Sequence, residues 1–98
     1  MAGNSYKRIE ASAKTLRVLD YIMKQKGALT AKEISDGVRE PIGTVMTHLV
    51  TLADEGWIER IHEYYRLTMK MAVGWARKKS QLETDIEQKQ KELESITL

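Results

Sequence analysis

Leu29-Thr30-Ala31-Lys32-Glu33-Ile34-Ser35-Asp36-Gly37-Val38-Arg39-Glu40-Pro41-Ile42-Gly43-Thr44-Val45 contains two helix starts separated by a short turn. At the first start, Thr30 is placed to cap, Glu33 three residues on to bond back to its amide, and Leu29 to staple onto Ile34. The helix so opened is short, about Ala31 to Gly37, and is expected to bury Ile34 and Val38. At the second start, Pro41 brings a fixed φ and lacks a donor that a first turn would leave unpaired anyway. Val45, Leu49 and Leu52 then recur at i, i+4 and i+7 as one apolar stripe, and Gly56 stops the run.

The flanking segments fall into place around this pair. Upstream, Ile9 to Lys24 reads as a first helix: Leu16, Leu19 and Met23 recur at helical spacing, Val18 and Ile22 widen the stripe, and Lys14, Arg17, Asp20 and Lys24 take the other face. Gly27 supplies a left-handed stop. Downstream, Trp57-Ile58-Glu59-Arg60-Ile61 and Tyr64-Tyr65-Arg66-Leu67-Thr68 alternate and are rich in β-branched and aromatic residues, which predicts a tight hairpin across His62-Glu63. From Met69 onward the only breaker is Gly74. Ala72, Trp75, Lys79, Leu82, Ile86, Lys89, Leu93 and Ile96 follow the alternating three-four spacing of a heptad seam.

Composition narrows the function classes. Ninety-eight residues, 42% hydrophobic and 31% charged, suit one folded body rather than a disordered chain. No apolar run is long enough for a membrane span, and Met1-Ala2-Gly3-Asn4-Ser5-Tyr6 lacks the apolar stretch of a secretory signal, so a cytoplasmic setting is expected. Cysteine is absent, which removes disulfides and thiolate chemistry. His48 and His62 have no further ligands at metal-binding spacing, and no nucleophile-base pair, phosphate-cradling loop or paired acid stands out; no catalysis, metal, cofactor or small-molecule ligand is expected. Net charge is only +2, but it is unevenly spread. Residues 1–32 and 64–80 are basic, whereas residues 33–63 set Arg39 and Arg60 against Glu33, Asp36, Glu40, Asp54, Glu55, Glu59 and Glu63.

Three helices followed by a β-hairpin, the second helix short and the third proline-led, is a mainly α winged helix-turn-helix with a long C-terminal helix appended. A slim third helix fits a DNA major groove, and a hairpin wing reaches the flanking backbone. The expected reading face is Ile42, Gly43, Thr44, Met46, Thr47 and Thr51; expected phosphate contacts are Lys14, Arg17, Arg39, Arg60 and Arg66, with Lys7 and Arg8 upstream. Residues 41–56 contain no Lys or Arg, so a strong guanine contact is missing and readout would lean to A·T pairs. Of the two wing tyrosines, strand alternation sends one outward and one into the core.

Thr15-Leu16-Arg17-Val18-Leu19, Leu29 to Ile34, Pro41 to Val45, Leu49, Leu52, Glu55-Gly56-Trp57-Ile58-Glu59-Arg60 and Tyr65-Arg66-Leu67 resemble the N-terminal DNA-binding module of the IclR-type transcription regulators, over about Ile9 to Thr68. The resemblance implies a double-stranded DNA partner, a regulatory role and Tyr65 as the inward tyrosine. It also implies a module without the effector-binding domain that usually follows, since only residues 69–98 remain. The family pattern places a glycine where Arg39 stands, often a serine at the position of Gly43 and an arginine at that of Thr47, and an aliphatic residue at that of His48.

Residues 1–68 are thus expected to form the DNA-binding domain and residues 69–98 a dimerisation helix pairing two copies through Trp75, Leu82, Ile86, Leu93 and Ile96. The competing reading of that helix packs Met71 and Trp75 back onto the chain's own winged domain. The competing reading of the whole chain is a winged-helix protein-interaction module or assembly adaptor, for which the acidic stretch 33–63 speaks.

Overall fold

A computed structural model describes residues 5–97. Met1 to Asn4, on which the absence of a signal sequence was partly read, lie outside the described residues. The order of elements is α1 (Glu10–Lys24), β1 (Leu29–Thr30), α2 (Ala31–Val38), α3 (Ile42–Asp54), β2 (Ile58–Ile61), β3 (Tyr64–Leu67) and α4 (Lys70–Thr97). The chain divides into two compact units, Met1–Thr68 and Met69–Leu98. The first has the three helices and antiparallel hairpin of a winged helix-turn-helix; the second is the single helix α4.

The core of the first unit is Val18, Ile22, Leu29, Ile34, Val45, Leu49, Leu52, Ile58 and Tyr65, drawn from every element of the unit. Each fully buried aliphatic side chain of this kind contributes about 1.5–3 kcal/mol. The capping box at the start of α2 forms as its sequence implies. The Thr30 hydroxyl accepts from the Glu33 amide at 3.2 Å, and a Glu33 carboxylate oxygen accepts from the Thr30 amide at 2.9 Å. These bonds hold the Glu33 carboxyl below its ordinary pKa, the backbone bond from Thr30 contributing most.

The helix α1 is rolled relative to the sequence expectation. Val18 and Ile22 form its buried line, while Leu16 and Met23 are 64% and 44% exposed. Successive helical residues turn by about 100°, so Leu16 and Val18 lie on nearly opposite faces and only one can face inward. A polar contact accompanies this roll. Thr15 lies one turn before Val18 on the inward line, and its hydroxyl is 2.7 Å from Nδ1 of buried His48 on α3. The same hydroxyl donates to the Ala11 carbonyl at 3.0 Å, so its single hydrogen is used and Nδ1 is the donor in the second bond.

A second contact brings α1 and α2 together. A β-carbon built on Gly37 would overlap the Tyr21 ring, so this glycine makes room for an aromatic side chain. At the hairpin, Arg60 pairs with Tyr65 and Glu59 with Arg66 across the two-residue turn His62-Glu63, and His62 takes a left-handed φ of 58°. The strand β1 was not anticipated. Leu29 and Thr30 pair with Tyr65 and Tyr64, giving a three-stranded sheet in the order β1-β3-β2.

Candidate nucleic-acid interface

The helix α3 is anchored on one side and open on the other. Val45, His48, Leu49 and Leu52 are buried. Ile42, Gly43, Thr47 and Thr51 are exposed, with Thr44 and Met46 half-buried. Among the described residues, nothing lies within 4 Å of a β-carbon built on Gly43, and no side chain caps the helix after Pro41. First-turn amides with no side-chain cap, beneath a residue with no bulk, suit the close approach of a phosphate.

Along the exposed ridge the threonines have defined roles. The Thr47 hydroxyl donates to the Gly43 carbonyl at 3.3 Å and the Thr51 hydroxyl to the Thr47 carbonyl at 3.1 Å. With the hydrogen committed to the preceding turn, each hydroxyl offers acceptor lone pairs outward. In a major groove these match the amino groups of adenine and cytosine, and the methyl groups suit the thymine methyl. Met46 differs from the rest of the expected face: it packs against the core, and the Tyr65 hydroxyl donates to its sulfur at 4.0 Å, tying α3 to the wing. Sequence reasoning missed Val50, an exposed apolar residue between Thr47 and Thr51. Its signal was available, since Val50 falls one position beyond the buried Leu49 and one turn from Thr47.

The turn leading into α3 is built around Arg39, the left-handed C-cap of α2 at φ 59° and ψ 44°, at the position where the sequence resemblance expects glycine. The amides of Arg39 and Glu40 both donate to the Ser35 carbonyl, and the Ser35 hydroxyl donates to the Glu40 carbonyl at 2.6 Å. Lys14 reaches this turn from α1, its ammonium 3.7 Å from Glu40. Lys14 and Arg39 thereby flank the segment that starts α3.

The other expected phosphate contacts are more dispersed. Arg17 is exposed on α1 and, like Arg39, has no ion pair among the described residues. Arg8 pairs with Glu10 at 3.0 Å. Arg66 pairs with Glu59, its cross-strand neighbour, at 2.7 Å. Arg60 donates through Nε to the His62 carbonyl at 2.7 Å, its guanidinium carbon 5.8 Å from the Tyr65 ring centroid. Because Arg60 faces Tyr65 and Arg66 faces Glu59, strand alternation puts the two wing arginines on opposite faces of the hairpin. The structure therefore does not bring Arg60 and Arg66 together. Tyr65 is buried and Tyr64 exposed, as the resemblance implies.

In the second unit, Trp75, Leu82, Ile86, Leu93 and Ile96 lie on one 28-residue helix and are exposed, from 42% at Leu82 to 77% at Ile96. Among the described residues no three His, Asp or Glu side chains converge on a metal-sized site. No described helix is long and apolar enough to cross a membrane.

The IclR helix-turn-helix domain family matches residues 11–62, from the first turn of α1 to the tip of the wing. No curated protein matches the chain.

Proposed function

The chain belongs to the IclR helix-turn-helix domain family, a DNA-binding module of transcription regulators, and from that premise we propose that it works as a homodimer whose α3 enters the major groove. The observation that carries this reading is the two-sidedness of α3: a buried line holds it rigid, and the opposite ridge of Gly43, Thr47 and Thr51 is exposed. Lys14 and Arg39 meet phosphates beside the leading end of α3, Arg17 does so from α1, and Arg60 from the wing. The ion pairs Lys14–Glu40 and Arg66–Glu59 are solvent-accessible and of a kind worth about 0–1 kcal/mol, so exchanging a carboxylate for a phosphate costs little. Two copies joined through α4 present two reading helices to a two-fold site.

Fluorescence anisotropy on labelled duplex tests this. Affinity should fall steeply between roughly 50 and 200 mM salt, as counterion release requires. Arg17→Ala and Arg60→Ala should weaken all sequences alike, whereas Thr47→Ala should flatten the preference among sequences. Binding that is indifferent to salt over that range sinks the proposal.

One observation favours a second reading, a protein-interaction module. Three of the expected phosphate contacts, Arg8, Lys14 and Arg66, are partnered by the chain's own acids, and Val50 adds an apolar residue to the α3 ridge. Stable capture of a protein partner, with no duplex binding at low salt, would select that reading.

A further inference from the structure

The exposed seam of α4 contains two lysines, Lys79 and Lys89, in a row otherwise made of Ala72, Trp75, Leu82, Ile86, Leu93 and Ile96. Two such rows can meet in two ways. Parallel and in register, every seam residue faces its own copy, so Lys79 opposes Lys79 and Lys89 opposes Lys89. The charges beside the seam add to this. Between Lys70 and Lys79 the helix carries Lys70, Arg77, Lys78 and Lys79 with no acid, and from Glu83 to Glu94 five acids stand against Lys89 and Lys91. Parallel pairing lays basic block on basic block and acidic on acidic. Reversing one helix about Ile86 moves each lysine off its own copy and sets Lys78 and Lys79 against Glu94 and Glu92 and Lys89 against Glu83, while Asp85 and Glu87 still face acids near the axis.

We infer that α4 pairs antiparallel with α4 of a second copy, the two Ile86 side chains facing each other at the two-fold axis. The inference rests on the homodimer reading above and adds the direction and register of the pair. In this register Trp75 covers Ile96 of the other copy. Lys79 lies along Leu93 and reaches Glu92 beside it, while Lys89 lies along Leu82 and reaches Glu83. The lysine stems bury against the apolar neighbours and the ammonium groups emerge at the acids. Glu92 already stands 3.8 Å from Lys89 of its own chain, a well-exposed pair that is readily exchanged.

Charge exchange tests the register on the full chain. Lys79 and Glu92 of one chain are about 20 Å apart along the helix, so any coupling between them crosses the dimer. Sedimentation equilibrium should show Lys79→Glu and Glu92→Lys each weakening the dimer by about tenfold or more, from the like charges each creates. The double variant should recover to near the original affinity. Because the chain has no cysteine, Val73→Cys accepts a single spin label. The two labels should lie about 40 Å apart along the antiparallel axis, against roughly 20 Å or less for parallel helices. A dimer with the short distance and no recovery overturns the antiparallel register and leaves the homodimer standing. A dimer unaffected by Ile86→Asp overturns α4 as the interface. A chain that stays monomeric at every concentration overturns both readings.

Discussion

Within Met1–Thr68, Val18, Ile22, Ile34, Val45, Leu49 and Ile58 are buried among one another; within Met69–Leu98, Leu82, Ile86, Leu93 and Ile96 remain exposed. Both units are helical and both carry apolar residues at helical spacing, so the pattern alone does not separate them. What separates them is whether other elements of the same unit supply a covering surface. The first unit has three helices and a sheet to close over its stripe, and its stability is a property of one chain. The second is one helix, and an isolated helix in water gains little from its own hydrogen bonds. Its order is therefore tied to whatever covers the stripe, and so to protein concentration if that is a second copy.

The sharpest way to break this contrast is to delete the same side chain in each unit. Leu49→Ala empties a fully buried position and should cost about 2–5 kcal/mol in chemical denaturation of the winged unit, at any protein concentration. Leu93→Ala removes an exposed side chain and should leave that transition in place while lowering helix content at dilute concentrations only. Equal losses from both substitutions would mean the units do not differ in this way. Next in size is Gly37→Ala, which drives a methyl into the Tyr21 ring and should cost about 1–3 kcal/mol in the same experiment.

The contrast also marks what the sequence made legible. The two helix starts, the α3 core line, the hairpin and the uninterrupted C-terminal helix each follow from a local signal, a cap, a period or a stop, that needs no knowledge of neighbours. The roll of α1 did not, because apolar residues at helical spacing occur on both the Leu16 and the Val18 faces, and the inward line also carries Thr15 against His48, two residues that a hydropathy stripe scores as polar. The strand β1 was hidden because its two residues are too few to show alternation, and one of them doubles as the α2 cap. At the site, the open ridge of α3 could be read as the complement of its buried line. The facing of the wing arginines could be read only once the two-residue turn was placed, and the neutralisation of Lys14 by Glu40 required the fold.

A smaller effect is expected at the cap of α2. Thr30→Ala removes the side chain that accepts from the Glu33 amide and should cost about 1 kcal/mol. Glu33 adds a pH signature. Its carboxyl titrates lower in the folded chain than its ordinary 4.5, so its contribution is present above that value and is lost as pH falls through the depressed folded one. Glu33→Gln keeps a back-bonding acceptor but cannot titrate, and its unfolding midpoint should lose that acid-side slope. Should the slope survive, the pH dependence comes from other carboxylates.

The smallest stability change, and the most informative for function, is expected at Arg39. A left-handed residue other than glycine costs roughly 1–2 kcal/mol. Glycine removes that cost but gives the unfolded chain extra freedom worth roughly 0.5–1 kcal/mol. Arg39→Gly should therefore leave unfolding within about 1 kcal/mol of the original, because the amide bonds to the Ser35 carbonyl do not involve the side chain. Its effect on duplex affinity is a separate matter. If Arg39 meets a phosphate beside α3, the glycine variant binds more weakly and its affinity depends on salt with a slope reduced by about 0.9, one phosphate contact. Arg39→Lys should keep most of that slope while retaining the backbone cost. A glycine variant with an unchanged salt slope would assign Arg39 to the turn alone and leave Lys14 as the base beside the start of α3.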